Sequence, residues 1–233
     1  MTNADVFIEK YKLLEEAVRS TYHLEDGDSI SYYLRGQAKY QRYRNEIKYC
    51  QDVRNLLSHK KKVDDRFAVE PSQQMIWFID RLIEQIKNRA RCCDVQIGIQ
   101  KVYWQPINGS VKASMKMMRE NLYTHIPILE DGRVIGVFDE NSVFNYLADE
   151  EIVAIEDNLT FENIRDYISL NGREMEEFLF FKSASYVDEL EKEFDKALQK
   201  GKRIGVAFLT QTGKASDKLQ GIITPWDMIA ASE

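Results

Sequence analysis

The apolar positions in the N-terminal part of the chain recur at the three- and four-residue spacing of amphipathic helices. One stripe runs through residues 4–22, the turn-forming residues 25–29 interrupt it, and a second covers 40–57, with a break expected near Gly36. A third helix is predicted to begin at Ser72, because serine caps helix N-termini well. This part of the chain is therefore predicted to be all-α.

The pattern changes after residue 91. Short β-rich runs at 95–103, 126–129 and 134–138 alternate with helical stripes at 111–120 and 187–200. This alternation predicts a second domain that contains both strands and helices.

A weak internal repeat lies within this second part. Residues 110–148 superimpose on residues 185–231, with Gly136 on Gly221, and each copy shows a helix, a hairpin and a helix, opened by a short strand. A unit of this size buries its two faces poorly by itself. The repeat therefore predicts two β-α-β-β-α units that pack against each other.

The second copy ends in a motif of glycine, threonine and aspartate, Gly-Ile-Ile-Thr-Pro-Trp-Asp at 221–227, and with the repeat it resembles the CBS domain. The resemblance implies an α+β fold in which an all-α helical bundle precedes a tandem CBS pair. The expected divisions are 1–92 for the helical domain, 93–149 for the first CBS motif, 150–175 for a linker and 176–233 for the second motif.

The resemblance also implies a ligand, because CBS pairs most often bind adenine nucleotides. Thr224 would contact phosphate, Asp227 would accept hydrogen bonds from the ribose, and the adenine would lie near Phe181 and Val206, with Gly221 in the same motif. Free backbone N–H groups at a helix start favour such a phosphate. AMP, ADP, ATP and S-adenosylmethionine all stay open as ligands.

An interpretation without a ligand also fits, since Thr224 and Asp227 suit a helix N-terminus as capping residues. In the first copy Asp139 and Ser142 stand at the corresponding positions. A carboxylate there would repel phosphate, so we expect Asp139 to be a cap and the second motif to hold the nucleotide.

The helical domain contains Arg54-Asn55-Leu-Leu-Ser-His59, which resembles the Arg-x4-His motif of HEPN domains. These are small helical bundles, and many are metal-independent ribonucleases that act as dimers. The resemblance implies that His59 moves a proton and Arg54 stabilises charge on phosphate, with Asn55 beside them. Cations at a helix C-terminus are the alternative interpretation.

Nine lysine and arginine residues and only two acidic residues lie between Arg35 and Lys62, interleaved with tyrosines. A basic surface with stacking groups suits single-stranded RNA. The alternative is that the tyrosines belong to the buried stripe and the charges to a solvated face.

The whole chain has a formal net charge of −6, which argues against general polyanion binding. Its acidic N-terminus and the lack of a long apolar run predict a cytoplasmic protein outside the membrane. His23 and His125 have no carboxylate or thiol at ligand spacing nearby, so we expect no metal site.

The leading interpretation is a cytoplasmic sensor in which the CBS pair binds an adenine nucleotide and the helical domain transmits the result. The second is a HEPN-type ribonuclease, using Arg54 and His59, that the CBS pair regulates, so enzymatic activity is left open. The third is a dimerisation module without a ligand. A homodimer is expected in each case.

Overall fold

The computed structural model describes residues 2–59, 67, 69–150, 154–173 and 175–231, and for Ala38, His59 and 229–231 it describes the backbone alone. The chain forms two compact units, Met1–Arg89 and Ala90–Glu233. Within the described ranges, no helix is both long and apolar enough to cross a bilayer.

The first unit is helical. Its α-helices are α1 (Asn3–Tyr22), α2 (Ile30–Gly36), α3 (Arg44–His59) and α4 (Gln73–Lys87), with a 3-10 helix at Ala38–Tyr43 between α2 and α3. This order confirms the predicted all-α region and the break at Gly36.

Side-chain caps explain where three of these helices begin. The hydroxyls of Thr2, Ser29 and Ser72 accept hydrogen bonds from the backbone N–H three residues later, which satisfies donors that a helix start leaves free. The apolar stripes then meet in a core whose largest fully buried side chains are Phe7, Leu34, Tyr40, Ile79, Leu82 and Ile86.

The second unit contains both helices and strands. Its helices are α5 (Cys92–Val95), α6 (Val111–Asn121), α7 (Glu140–Asp149), α8 (Val187–Gln199) and α9 (Pro225–Ala231), with a 3-10 helix at Arg165–Ile168. Its strands are β1 (Ile97–Gly98), β2 (Gln105–Pro106), β3 (His125–Glu130), β4 (Arg133–Asp139), β5 (Glu176–Lys182), β6 (Arg203–Thr210) and β7 (Leu219–Ile223).

The order β2-α6-β3-β4-α7 is repeated as β5-α8-β6-β7-α9, which confirms the prediction of two β-α-β-β-α units. The first copy forms the sheet β2-β3-β4, and the second forms β1-β7-β6-β5. In each copy the first two strands are parallel and the hairpin is antiparallel.

The two sheets share one apolar core. It combines Leu129, Val134 and Val137 of the first copy with Val206, Phe208, Leu219 and Ile222 of the second. Separate clusters lie between the first sheet and α6 and between the second sheet and the helices α5, α8 and α9. Each sheet is thus buried on both faces, which explains why one copy alone would be poorly buried.

The segment that precedes the first copy joins the sheet of the second. The N–H groups of Cys92 and Cys93 donate to the carbonyls of Ser185 and Ser183, and β1 pairs with β7. Within the predicted β-rich run 95–103 the structure has a strand at β1 alone. Val95 belongs to α5, and after β1 the Lys101 N–H donates to the Gly98 carbonyl and closes a turn.

A substitution at Gly221 tests the close pairing of β1 with β7. Gly221 faces Gly98 across the β1–β7 pair, and a Cβ at Gly221 would stand 2.7 Å from the Ile97 carbonyl oxygen and against Gln96 Oε1. We expect Gly221→Ala to lower the free energy of unfolding by about 1–3 kcal/mol, the usual cost of overpacking. Urea unfolding measures it.

Gly36→Ala is the matched control, because nothing lies within 4 Å of its Cβ position and its backbone is not left-handed. It should leave stability unchanged or slightly higher. Equal stability of Gly221→Ala and the parent chain would contradict the close approach of β1.

Candidate functional site

The motif of the second copy lies where β7 passes into α9. The Thr224 N–H and hydroxyl both donate to Asp227 Oδ2, each at 2.7 Å, and the Thr224 carbonyl accepts from the N–H of Asp227. This is a helix-start geometry in which the two predicted ligand-binding side chains satisfy each other.

The other residues predicted for this site point in different directions. Phe181 packs on the helix side of the second sheet with Ala207 and Leu209, whereas Val206 is 2% exposed in the core between the two sheets. Gly221 pairs with Gly98 of the neighbouring strand β1. The structure therefore brings Thr224 and Asp227 together but puts Phe181 and Val206 on opposite faces.

The first copy uses the same two positions with the residue types exchanged. Asp139 caps α7, as predicted, and its Oδ1 accepts from the Ser142 N–H at 2.8 Å and from the Ser142 hydroxyl at 2.9 Å. The Asp139 side chain is only 4% exposed, so its charge lies inside the protein.

Arg173, in the segment between the copies, neutralises Asp139. Its Nη1 forms an ion pair with Asp139 Oδ2, its Nη2 donates to the Val137 carbonyl at 2.9 Å, and its Nε donates to the Ser169 carbonyl at 3.1 Å. The sequence analysis missed this arginine, because nothing in its sequence neighbourhood links it to residue 139.

A second buried carboxylate, Glu176 at the start of β5, joins the copies. Its Oε1 contacts His125 Nε2 of the first copy at 3.2 Å and Arg203 Nε of the second at 3.1 Å. Its Oε2 has no hydrogen-bond partner among the described residues, and the Arg173 Nη1 lies 3.8 Å away. His125, which the sequence analysis treats as isolated, thus contacts a carboxylate 51 positions later in the chain.

The surroundings of Glu176 shift its titration. Burial raises the pKa of this carboxyl, but the hydrogen bond and charge of His125, with Arg203 and Arg173, outweigh burial and hold the pKa below its usual value. The carboxylate is therefore charged and paired at neutral pH.

His125, Asp139 and Glu176 also resemble a metal-ligand set, since one donor atom from each lies within 4.8 Å of the others. The Arg173 guanidinium lies against both carboxylates and supplies the positive charge that a metal ion would bring. A cation would have to displace it. That the protein needs no metal stays a prediction.

A cleft of about 890 Å³ opens beside this charge cluster. One wall is a face of α7, another is the segment 166–173, and the starts of β5 and β6 close one end. The lining is mostly polar and consists of Asn141, Ser142, Asn145, Asp149, Asp166, Tyr167, Ser169, Asn171, Gly172, Arg173, Met175, Glu176 and Arg203.

In the first unit, Arg54 is held by neighbours within the bundle. Its Nη2 lies 3.3 Å from Glu15 Oε1, its Nη1 lies 3.5 Å from Asn55 Oδ1, and its guanidinium stands over the Tyr11 ring. The His59 side chain lies outside the described residues. The HEPN-type ribonuclease therefore stays a prediction.

The tyrosines of the basic stretch divide between core and surface. Tyr40 is buried, Tyr33 and Tyr43 pack against the same core, and Tyr49 is exposed. Lys60, Lys61 and Lys62 lie outside the described residues. The interpretation that the tyrosines belong to the buried stripe thus accounts for three of these four residues. The structure gives RNA binding no support.

We expect Arg173→Gln to lower the free energy of unfolding by about 3 kcal/mol, because it leaves the buried Asp139 carboxylate without its countercharge. Chemical unfolding of the full chain measures the loss. Arg165→Gln removes an exposed i,i+3 pair with Glu162 and should leave the stability nearly unchanged.

A double variant distinguishes loss of the Asp139–Arg173 ion pair from a general destabilisation of the fold. Adding Asp139→Asn to Arg173→Gln removes the unpaired charge, so the double variant should be more stable than Arg173→Gln alone. Additive losses would contradict the pairing.

Lowering the pH should destabilise the second unit through Glu176. The folded-state pKa lies below 4.5, so the stabilisation is complete above that pH and is lost as the pH falls through the folded value. Unfolding measured between pH 7 and 3 should show a steeper loss in the parent chain than in Glu176→Gln.

Glu177→Gln is the control, because Glu177 is a half-exposed neighbour paired with Lys202 at 2.9 Å. It should follow the parent profile. An identical pH profile for Glu176→Gln would show that this carboxyl contributes nothing to acid stability.

Comparisons with known proteins find solved structures of CBS-domain proteins and one family model. Three solved structures cover 61–66% of this chain and at least 96% of their own chains, at 13–15% identity and TM-scores of 0.42–0.43. They are CBSX2 in complex with AMP, a hemolysin-like protein with a CBS domain from Oenococcus oeni PSU, and a CBS-domain-containing protein from Agrobacterium tumefaciens. No curated protein sequence matches the chain. The family model of the CBS domain matches residues 106–149, so the second unit contains a CBS domain over the first copy.

Proposed function

We propose that the second unit is a regulatory module that binds an adenine nucleotide in the cleft along α7. The observation that carries this proposal is the cleft itself, a cavity of about 890 Å³ where elements of both copies meet. Ligand sites in proteins commonly have volumes of about 300–1,000 Å³. The CBS family match supports an adenine nucleotide as the ligand.

The polar lining suits the base and the sugar of such a ligand. Asn141, Asn145 and Asn171 are exposed side chains that offer both donors and acceptors, and the part of the structure that is described gives their side-chain amides no protein partner. Tyr167 and Ser169 add hydroxyls. Such groups can form hydrogen bonds with a neutral heterocyclic base and with ribose hydroxyls.

The expectation that a carboxylate at residue 139 would repel the ligand loses its main physical basis. Asp139 is buried beneath the cleft and paired with Arg173, so its charge is neutralised before a ligand arrives. Repulsion by a paired and buried carboxylate is much weaker than repulsion by a free one. The nucleotide is therefore placed beside the first motif in this proposal.

The position of the cleft connects ligand binding to the contacts between the two copies. Arg173, Glu176 and Arg203 line the cleft and also hold the two copies together. A ligand that contacts the exposed Arg203 changes its bond to Glu176 at the junction, and an unequal affinity for two arrangements of the copies would shift their populations. The helical unit would transmit this change.

The motif at Thr224 and Asp227 remains the second location for a nucleotide. Asp227 Oδ2 is bonded to Thr224 at the start of α9, while Oδ1 has no partner among the residues described. The homodimer also stays a prediction, tested by sedimentation equilibrium. Phe144 of α7 and Trp226 of α9 are 71% and 77% exposed and are available for such a contact.

A thermal-shift series with AMP, ADP, ATP and the guanine nucleotides tests the proposal. An adenine ligand at 100 times its dissociation constant stabilises the native state by about 2.7 kcal/mol, which should raise the melting temperature by several degrees. Asn145→Trp, which fills the cleft from the exposed face of α7, should abolish the shift.

Phe144→Trp is the matched control on the same helix, because Phe144 does not line the cleft. Asp227→Ala separates the two locations. A shift that survives Asn145→Trp but is lost in Asp227→Ala would move the ligand to the second motif, and a flat series for every nucleotide would refute the proposed function.

A further inference from the structure

The charges that line the cleft are unequal, and they limit how many phosphates a ligand can bring. We propose that the cleft accepts a ligand with no more than one phosphate and rejects diphosphates and triphosphates. This inference rests on the proposed nucleotide-binding function and names the ligand class that the same site would select.

Arg173 is not free to bind a phosphate. Each of its three guanidinium nitrogens has a partner: Ser169 and Val137 carbonyls for Nε and Nη2, and the Asp139 carboxylate for Nη1. Its guanidinium also lies 4.8 Å from the centre of the Phe178 ring. Turning towards a ligand would leave Asp139 buried and unpaired, which is strongly unfavourable.

Arg203 is the cation of the described lining that remains available. Its side chain is 66% exposed, and only Nε is engaged, 3.1 Å from Glu176 Oε1. The two terminal nitrogens have no partner among the described residues. They can donate a pair of hydrogen bonds to one phosphate group, an arrangement that the planar guanidinium favours.

Two exposed carboxylates line the same cleft. Asp149 lies at the end of α7 and Asp166 in the 3-10 helix Arg165–Ile168, and neither forms an ion pair with a described residue. A second or third phosphate adds further negative charge. The single positive charge of Arg203 does not neutralise it, and the two carboxylates repel it.

Calorimetric titration of the full chain with adenosine, AMP, ADP and ATP, in the presence of a metal chelator, tests the limit. We expect AMP to bind most tightly, adenosine more weakly, and ADP and ATP each at least about tenfold more weakly than AMP, a factor that corresponds to 1.4 kcal/mol. Arg203→Gln should reduce AMP to the affinity of adenosine.

Two paired variants identify the source of the selectivity. Asp149→Asn with Asp166→Asn should bring the ATP affinity to within a few fold of the AMP affinity. Glu193→Gln with Asp195→Asn makes the same change in net charge on α8, outside the cleft lining, and should leave the ratio of AMP to ATP affinity unchanged. Circular dichroism checks that each variant is folded.

The outcomes separate this inference from the proposed function. ATP binding as tightly as AMP, or a ratio that Asp149→Asn with Asp166→Asn does not change, would overturn the inference while leaving nucleotide binding intact. Absence of heat and of thermal shift with all four ligands would overturn the proposed function and the inference with it.

Discussion

The arrangement of the second unit depends on burying the Glu176 carboxylate between two copies of one motif. A buried charge is tolerated only where paired groups replace its lost hydration, and here His125 comes from the first copy and Arg203 from the second. Gly205 makes this contact possible, because a Cβ at that position would lie 2.7 Å from Glu176 Oε1 and 2.9 Å from His125 Nε2. The apolar core lies between the two sheets, and the contact of Glu176 with His125 and Arg203 fixes which surfaces meet.

In both copies a hydroxyl and a carboxylate three residues apart bond to each other at the start of the last helix, but their order along the chain is reversed. In the first, an aspartate precedes the helix and bonds to a serine three residues later; in the second, a threonine precedes the helix and bonds to a later aspartate. The consequence differs because only the first carboxylate is buried beneath an open cleft and held by an arginine from the intervening segment. A repeat in sequence thus does not produce two equivalent sites.

The helical unit shows how one pattern supports two interpretations. Basic residues interleaved with tyrosines suit an RNA surface and also suit a helix whose aromatic side chains are buried and whose cations stand beside them. Arg42 lies over the Tyr43 ring and Lys39 over the Tyr40 ring, so part of the positive charge covers the bundle's own aromatic groups. Arg54 likewise bonds to Glu15. These contacts are internal to the bundle.

Local chemistry was sufficient to predict the helices, their caps at Ser72 and Asp139, and the doubled β-α-β-β-α order, because spacing and capping act over a few neighbouring residues. The sequence by itself also determined that one of the two motifs departs from the family pattern. The tertiary structure decided which charges meet. Asp139 and Arg173 are 34 positions apart and His125 and Glu176 are 51 apart, and no periodicity relates them. Their pairing follows from how the two sheets pack, which also turns Phe181 and Val206 to opposite faces and places the cleft beside the first motif instead of the second.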